Sequence, residues 1–291
     1  MNTVAVLILA YNKLEHTRHC LKGMLASTYR HLHFHLVDNG STEAVSGAFE
    51  SFAKDAAKKG WTCEIQRLDA PAGAIVGRNA GFERLMPRTG LRAIALCDND
   101  VMPRHASWVE RLCAALESNP AIGIVGPKLV YPLLPHLIQC AGADVSPDGR
   151  VDFSGRGAAR DTAAFARDRE VQALISACWL MRPEFPRTIG LLDEQFSPVQ
   201  YEDIDYCYRV REAGFQCRYV AGVEMYHFEN TTTDGSPTVN FPYVTVKNGM
   251  KFKAKWARRF QTENGKPSRE MVWKEIAKVR LEQVPEPEIL P

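Results

Sequence analysis

Apolar and polar positions follow two alternating patterns along the first 130 residues. Short apolar runs rich in β-branched residues lie at 4–9, 33–37, 62–68, 93–97 and 122–130. Between them, apolar residues recur with helical spacing at 14–26, 44–58, 74–86 and 106–117. Strands that are apolar throughout and separated by helices predict a mostly parallel sheet with helices on both faces, an α/β sandwich.

The pattern changes from 132 to 169, where Gly, Pro, Asp and Arg accumulate and helical spacing is lost. The turn sequence Ser146-Pro147-Asp148-Gly149 predicts a hairpin or a long loop insertion in this segment. Regular structure is expected again as an apolar run at 171–181, a helix at 202–213 and a strand at 216–221. The last ten residues contain three prolines, which predict an unstructured tail.

Residues 247–260 combine six Lys or Arg with no acidic residue. Phe252, Trp256 and Phe260 recur at i, i+4 and i+8, which places them on one face of a helix. One interpretation is an amphipathic helix that packs its aromatic face on the domain and leaves its basic residues in solvent. The other is a peripheral contact with an anionic surface, such as a lipid-diphosphate acceptor at the inner face of a membrane.

The composition excludes several classes of protein. The chain has 291 residues and a net charge of +2, which excludes a polycation that coats nucleic acid, and no dedicated nucleic-acid motif is found. Eight cysteines without a CxxC spacing are typical of buried thiols in a cytosolic protein. The first apolar run is too short to span a bilayer and follows no basic segment. These features predict a soluble, cytoplasmic protein.

Ligands in open α/β sheets bind beyond the carboxyl ends of the strands, so the residues at those positions are the first candidates. Asp98 and Asp100 follow an apolar run, and alternate residues of an extended segment face the same way. Two close carboxylates repel each other, and Mg²⁺ or Mn²⁺ would relieve that repulsion. DxD also occurs in turns, but its position after an apolar strand favours the metal site. The glycine-rich segment 73–81 would bring backbone amides and Arg78 to a phosphate.

A second acidic cluster, Glu202-Asp203-x-Asp205, opens a predicted helix. The helix macrodipole alone favours acidic residues there, and the functional alternative is a general base for an acceptor hydroxyl. His227 follows a predicted strand, where it is either structural or a metal ligand.

Together these stretches resemble the family 2 glycosyltransferases, inverting enzymes with the GT-A fold, a Rossmann-like α/β/α sandwich. The matching motifs are VAVLILAYN, LVDNGST, GAIVGRNAG, LCDND and a block that runs from ISACWLMRPEF through YEDIDYCYRVREAGF to His227. Their order and spacing match over most of residues 3–230. Within the family, the chain most resembles bacterial transferases that decorate surface polysaccharides, such as rhamnosyltransferases.

The resemblance implies a role for each matching residue. Asp38 would contact the nucleobase or ribose of a UDP- or dTDP-sugar. Asp98 would face the ribose or the metal, and Asp100 and His227 would bind Mn²⁺ or Mg²⁺. Asp203 would be the base, with Glu202 as the alternative. The remaining donor-binding positions would be Ala10, Tyr11, Gly77, Arg78, Asn79 and Trp179. Pro71 departs from the family pattern, because the donor loop usually opens with Asn.

The implied domain organisation is a catalytic domain over 1–230, with the insertion at 132–169, and a basic, aromatic helical extension with a tail over 231–291. The implied activity is transfer of a sugar to a glycan, lipid-linked or other hydroxyl acceptor, in glycan or polysaccharide biosynthesis. A nucleotidyltransferase that makes sugar nucleotides is one alternative, although Ala10-Tyr11-Asn12-Lys13 stands where such enzymes carry a glycine-rich loop. A non-catalytic sugar-nucleotide-binding protein is the other.

Overall fold

The computed structural model describes residues 2–229, 231, 239–284 and 288–291. Its first half alternates strands and helices as the apolar pattern predicts. These elements are β1 Thr3–Ala10, α1 Leu14–Leu25, β2 Leu32–Asp38, α2 Val45–Lys58, β3 Thr62–Arg67, α3 Gly73–Leu85, β4 Leu91–Asp98, β5 Val101–Pro103, α4 Trp108–Glu117 and β6 Ile122–Val130.

The second half is less regular, with short strands and several 3₁₀ turns. Its elements are β7 Ile138–Cys140, β8 Ala143–Val145, β9 Val151–Phe153, β10 Arg169–Val171, β11 Cys178–Met181, α5 Phe185–Thr188, α6 Glu202–Glu212, β12 Gln216–His227 and α7 Phe241–Phe260. The hairpin predicted within 132–169 is confirmed, because β8 and β9 pair antiparallel. The apolar run at 171–181 is only partly a strand, since its middle crosses between β10 and β11 as a loop.

One sheet organises the chain, with strand order β10-β12-β6-β11-β4-β1-β2-β3. The β4, β1, β2 and β3 strands are parallel neighbours, and β12 pairs parallel with β6. β11 enters antiparallel between β4 and β6. The carboxyl ends of β1, β2 and β4 therefore meet at one edge, where the sequence places its polar residues.

Two apolar layers cover the sheet. Side chains of α1, α2 and α4 form one layer, and those of α3, α6 and α7 form the other. Phe252, Trp256 and Phe260 of α7 lie in the second layer and are at most 5% exposed. The aromatic face of α7 therefore packs inward, as the first interpretation of residues 247–260 predicts, and Phe252 meets Tyr208 of α6 edge-on at 5.2 Å.

The described part of the tail is ordered, so the prediction of an unstructured tail is wrong there. Leu290 forms a parallel bridge with His105, and its amide donates to the Arg104 carbonyl at 2.8 Å. The edge backbone of residues 104–106 would lack these partners without the tail. Residues 285–287 of the tail lie outside the described residues. All eight cysteines are free thiols, seven of them buried. No helix in the described ranges is long and apolar enough to cross a bilayer.

Candidate active site

A cavity of about 920 Å³ opens at the carboxyl ends of the central parallel strands. The strand ends, the start of α3, the loop before β11 and the first turn of α6 form its walls, together with the end of β12 and the start of α7. Seven of the residues predicted from the sequence line it: Tyr11, Arg78, Asp98, Asp100, Glu202, Asp203 and His227.

Asp98, Asp100 and His227 form a cluster whose ligand atoms lie within 4.8 Å of one another. His227 Nδ1 lies 2.6 Å from Gln139 Oε1, which can only accept, so Nδ1 carries the proton. This leaves Nε2 facing Asp100 Oδ1 at 3.4 Å. Thr231 donates its hydroxyl to the other oxygen of Asp100 at 2.8 Å. Two carboxylates and one oriented imidazole are a donor set that suits Mn²⁺.

The charges of this cluster stabilise one another. Burial disfavours the ionised form of Asp100, but His227 and the Thr231 hydroxyl outweigh burial and lower the pKa of Asp100. Burial likewise disfavours protonated His227, but Asp100 and Asp98 raise its pKa. A bound cation would take the place of this mutual stabilisation.

Arg78 connects the cluster of Asp98, Asp100 and His227, the metal-type cluster, to the second acidic cluster around Glu202 and Asp203. It is 5% exposed, and its Nη2 donates to Asp98 Oδ1 at 2.5 Å. Its Nη1 donates to Glu202 Oε1 at 2.8 Å and to Ser176 Oγ at 2.9 Å. Burial opposes its charge, but the carboxylates of Asp98 and Glu202 raise the pKa of Arg78. A fixed cation thus lies between carboxylates from β4 and α6.

Glu202 and Asp203 lie in the first turn of α6. The two residues before the helix, Gln200 and Tyr201, have positive φ values of 82° and 72°. Glu202 is buried, and its Oε2 has no hydrogen-bond partner among the described residues. Burial and the adjacent Asp203 raise the pKa of Glu202 to about 7. Asp203 is half-buried, and its Oδ2 accepts only a long hydrogen bond, 3.2 Å, from the Ser176 amide. Burial also raises the pKa of Asp203.

Asn39, at the end of β2, fixes the loop that leads into α3. Its Oδ1 accepts from the Ala72 amide at 2.9 Å, and its Nδ2 donates to the Gly73 carbonyl at 3.2 Å. Gly73 has a φ of 83° and lies against Pro198, where a Cβ would come within 3.0 Å. The loop that begins near Pro71 is therefore held by Asn39, although the family's usual Asn is absent from it.

Comparison with known proteins identifies the family to which the chain belongs. The family model for glycosyltransferase like family 2 matches residues 2–241. The chain belongs to this family. A pre-mycofactocin glycosyltransferase of Mycobacterium tuberculosis is 27% identical over 199 residues, which are 67% of this chain and 37% of that protein. The chain spans between 25% and 37% of the length of the curated relatives it matches.

Solved structures show that the family 2 chain has the GT-A fold. GalNAc-T7, solved with UDP, GalNAc and Mn²⁺, aligns with a TM-score of 0.67 at 15% identity, over 89% of this chain and 50% of that one. The mannosyltransferase PcManGT of Pyrobaculum calidifontis, solved with GDP-Man and Mn²⁺, aligns with a TM-score of 0.53 at 14% identity. That alignment covers 77% of this chain and 56% of that one. The predicted fold class is confirmed.

The structure does not bring all predicted donor residues of this family 2 chain to the cavity. Asp38 is fully buried and bonds Arg67, Ser46 and the Ser41 amide. Four other predicted residues do not line the cavity either: Ala10, Gly77, Asn79 and Trp179.

Each of these four has a packing or hydrogen-bonding role. The Asn79 amide bonds both backbone groups of Leu192, at 2.9 Å each. Trp179 is fully buried and stacks on Tyr206 at 5.9 Å. A Cβ at Gly77 would meet Leu9 at 2.7 Å, so this glycine allows α3 to lie close to β1. Ala10 is fully buried in the sheet.

Sequence reasoning missed three aromatic residues in the wall of the same cavity. Phe153 of β9, Phe241 of α7 and Trp273 line it. Phe153 and Trp273 meet edge-on at 5.3 Å, and the Arg156 guanidinium lies 4.0 Å from the Trp273 ring centre. Trp273 stays 41% exposed. The insertion and the C-terminal extension thus both contribute residues to the cavity. Neither segment contains a family motif from which that contribution could be predicted.

Proposed function

We propose that this chain transfers a sugar from a nucleotide-diphosphate sugar to an acceptor hydroxyl, with Mn²⁺ or Mg²⁺ and with inversion at the anomeric carbon. The observation that carries this proposal is one cavity that holds both a metal-type cluster and a half-buried carboxylate, with Arg78 between them. Membership in glycosyltransferase like family 2 supports the same activity.

Asp98, Asp100 and His227 would hold the metal ion. When bound, the ion would supply positive charge to the diphosphate and to the negative charge that develops as it leaves. Two structural neighbours, GalNAc-T7 and PcManGT, were solved with Mn²⁺ together with UDP or GDP-Man. We favour a UDP- or dTDP-sugar, because the resemblance assigns pyrimidine recognition to the Asp38 position at the end of β2. Asp38 is bonded to Arg67 and does not line the cavity, so Tyr11 and Asn39, which do line it near the ends of β1 and β2, would face the nucleoside.

Asp203 is the preferred general base. Glu202 shares its charge with Arg78, whereas Asp203 faces the cavity without a cation bonded to it among the described residues. Its raised pKa makes its carboxylate a better proton acceptor. Asp203 would take the proton of the acceptor hydroxyl while the acceptor oxygen attacks the anomeric carbon, on the face opposite the diphosphate. Arg78 and Glu202 would hold the surrounding charges in place during this displacement.

The acceptor would lie against the aromatic wall of Phe153, Phe241 and Trp273. Aromatic rings provide apolar surface for a sugar ring or for the carbon skeleton of another hydroxyl compound. A glycan, a lipid-linked sugar or another hydroxyl acceptor fits this wall, in line with a role in glycan or polysaccharide biosynthesis.

A peripheral membrane contact at the inner face would use the outer side of α7. Tyr243, Val246 and Met250 are each more than 60% exposed there, and Lys247 and Lys253 are exposed beside them. Apolar and basic side chains on one helix side favour an anionic lipid surface. Salt-sensitive pelleting with anionic vesicles, lost in the Val246→Glu variant, would support this contact, and absence of pelleting would refute it.

The activity is tested by incubating the purified protein with Mn²⁺ and UDP-, dTDP-, GDP- or CMP-sugars. Thermal-shift screening selects the donor, and nucleotide release is then measured. A glycosyltransferase releases the nucleoside diphosphate from a UDP-, dTDP- or GDP-sugar, whereas a nucleotidyltransferase forms or consumes pyrophosphate, and a binding protein releases neither. We expect Asp203→Asn to lose about 10²- to 10⁴-fold in turnover while it still binds the donor, which is the usual value of a general base. Wild-type turnover in this variant would exclude Asp203 as the base.

A further inference from the structure

A second cluster of metal-ligating side chains lies away from the cavity, on β2 and the edge strand β3. His33 and His35 are alternate residues of β2 and face the same side, and Glu64 of β3 is the register partner of His35. Ligand atoms of the three side chains lie within 4.8 Å of one another. His33 lies five residues before the carboxyl end of β2, about 17 Å along the strand, so this cluster is separate from the active-site cavity.

Two ring nitrogens in this cluster are buried without a partner. His33 is 3% and His35 is 0% exposed, and neither His33 Nε2 nor His35 Nδ1 has a hydrogen-bond partner within the described chain. Buried polar atoms are almost always bonded, so two such atoms in neighbouring rings require an explanation. One explanation is a shared cation that binds both nitrogens and the carboxylate of the adjacent Glu64.

The opposite nitrogen of each ring is already fixed. His35 Nε2 lies 2.9 Å from Gln66 Oε1, an acceptor, so the proton is on Nε2 and the lone pair is on Nδ1. His33 Nδ1 bonds the Thr62 hydroxyl at 2.8 Å, and when Nδ1 donates to this hydroxyl, Nε2 keeps its lone pair. An outer hydrogen bond that orients the imidazole is the usual support of a metal-binding histidine. Burial also lowers the pKa of both rings, to about 4 for His33, which favours the neutral form that binds a metal ion.

We propose that His33 Nε2, His35 Nδ1 and a Glu64 carboxylate oxygen form a Zn²⁺ site that leaves one position open to solvent. Two imidazoles and one carboxylate with a free fourth position are a common Zn²⁺ set, and imidazole nitrogen selects Zn²⁺ over Mg²⁺. Tetrahedral Zn²⁺ with bonds of about 2.0–2.1 Å places its ligands roughly 3.3 Å apart. His35 Nδ1 and Glu64 Oε2 are 3.8 Å apart, and the ligand atoms of the three side chains lie within 4.8 Å of one another. Zn²⁺ binding would therefore draw these side chains together by about 1 Å, and the partly exposed Glu64 has the most room to move.

Arg88 competes for the same carboxylate. Its Nη2 donates to Glu64 Oε2 at 2.7 Å, and Arg84 adds a second positive charge near His35. Zn²⁺ binding must therefore weaken the Arg88 ion pair. Removal of Arg88 should strengthen binding, an effect that loss of structure would not produce.

The test is Zn²⁺ titration by calorimetry in an Asp100→Asn background, which disables the active-site cluster. We expect one equivalent of Zn²⁺ to bind, His35→Gln to abolish binding, and Arg88→Gln to tighten it by about tenfold, the scale of one nearby cation. His31→Gln is the matched control, because His31 is exposed just before β2. Co²⁺ should give the visible absorption of a four-coordinate site in the control and not in His35→Gln.

Circular dichroism without metal verifies that each variant is folded. The proposal is overturned if no equivalent of Zn²⁺ binds, or if His35→Gln binds Zn²⁺ as His31→Gln does. It is also overturned if Arg88→Gln leaves the affinity unchanged. None of these results depends on transferase activity.

Discussion

Glu202→Gln should stabilise the protein above pH 7 and leave its stability unchanged below pH 4.5. Glu202 is 3% exposed, and burial together with Asp203 raises its pKa from 4.5 to about 7, although Arg78 works against this rise. Glutamine has the same shape and keeps an oxygen that can accept from Arg78 Nη1. The substitution therefore removes the buried charge and keeps the packing.

The sign and size follow from proton binding. Between pH 4.5 and 7 the folded protein keeps a proton on Glu202 that the unfolded chain has released, so the free energy of unfolding falls as pH rises through this window. The difference of 7 − 4.5 = 2.5 units, at about 1.4 kcal/mol per unit, gives about 3 kcal/mol above pH 7. The glutamine variant lacks this loss. Its advantage should grow from zero at low pH to about 3 kcal/mol above neutrality.

The assay is urea denaturation of the wild type and the variant at pH values on both sides of the window. Glu50→Gln on α2 is the matched control, because it makes the same substitution at an exposed position. A Glu202→Gln variant that is less stable than the wild type above pH 7 would refute the reasoning, as would a difference that is constant with pH. The first result would mean that the Arg78 ion pair outweighs the burial of Glu202, and the second that the pKa of Glu202 does not change on folding.

Three further outcomes are expected. Asp100→Ala should weaken Mn²⁺-dependent nucleotide binding by at least roughly 10- to 100-fold, which is the usual effect of losing a residue that only supports a metal ligand. Calorimetry with and without Mn²⁺ measures this binding, and equal affinities of wild type and variant would exclude the metal role of Asp100. Trp273→Ala should raise the KM for the acceptor by about fivefold and leave the donor KM unchanged, since an aromatic contact is worth about 1 kcal/mol; an unchanged acceptor KM would remove Trp273 from the acceptor site. Phe252→Ala should lower the free energy of unfolding by about 3–5 kcal/mol in denaturant titrations, because the ring is fully buried; exposed Tyr243→Ala is its control, and equal losses would contradict the packing of α7.

The sequence predicted those cavity residues whose location follows from their place at the end of a strand or the start of a helix. Asp98 is the last residue of β4 and Asp100 follows two residues later, and the end of a parallel strand leaves few directions for their side chains. The same reasoning placed Tyr11 after β1. Glu202 and Asp203 follow from the start of α6, where the first turn faces the sheet edge.

The parts that the sequence missed depend on side-chain direction and on distant contacts. Asn79 is next to Arg78 on α3, but adjacent helix positions point about 100° apart, so only Arg78 reaches the cavity. Trp179 reads as a candidate because it is aromatic, yet it points from β11 into the α6 side of the core. Phe153 and Trp273 are 120 positions apart, and no local pattern shows that the fold brings them together.

The position of α7 affects how the chain can be divided. Trp256 Nε1 donates to Asp205 Oδ1 at 2.8 Å, and Asp205 lies one helical turn from Glu202 and two residues after Asp203. Asn248 in turn donates to the backbone carbonyls of Phe196 and Val199, on the segment that leads into α6. The family match ends at residue 241, the first residue of α7. We therefore expect a shortened protein to need an end beyond residue 260, because a chain cut where the family match stops would keep every proposed catalytic residue and lose the helix that holds α6 in position.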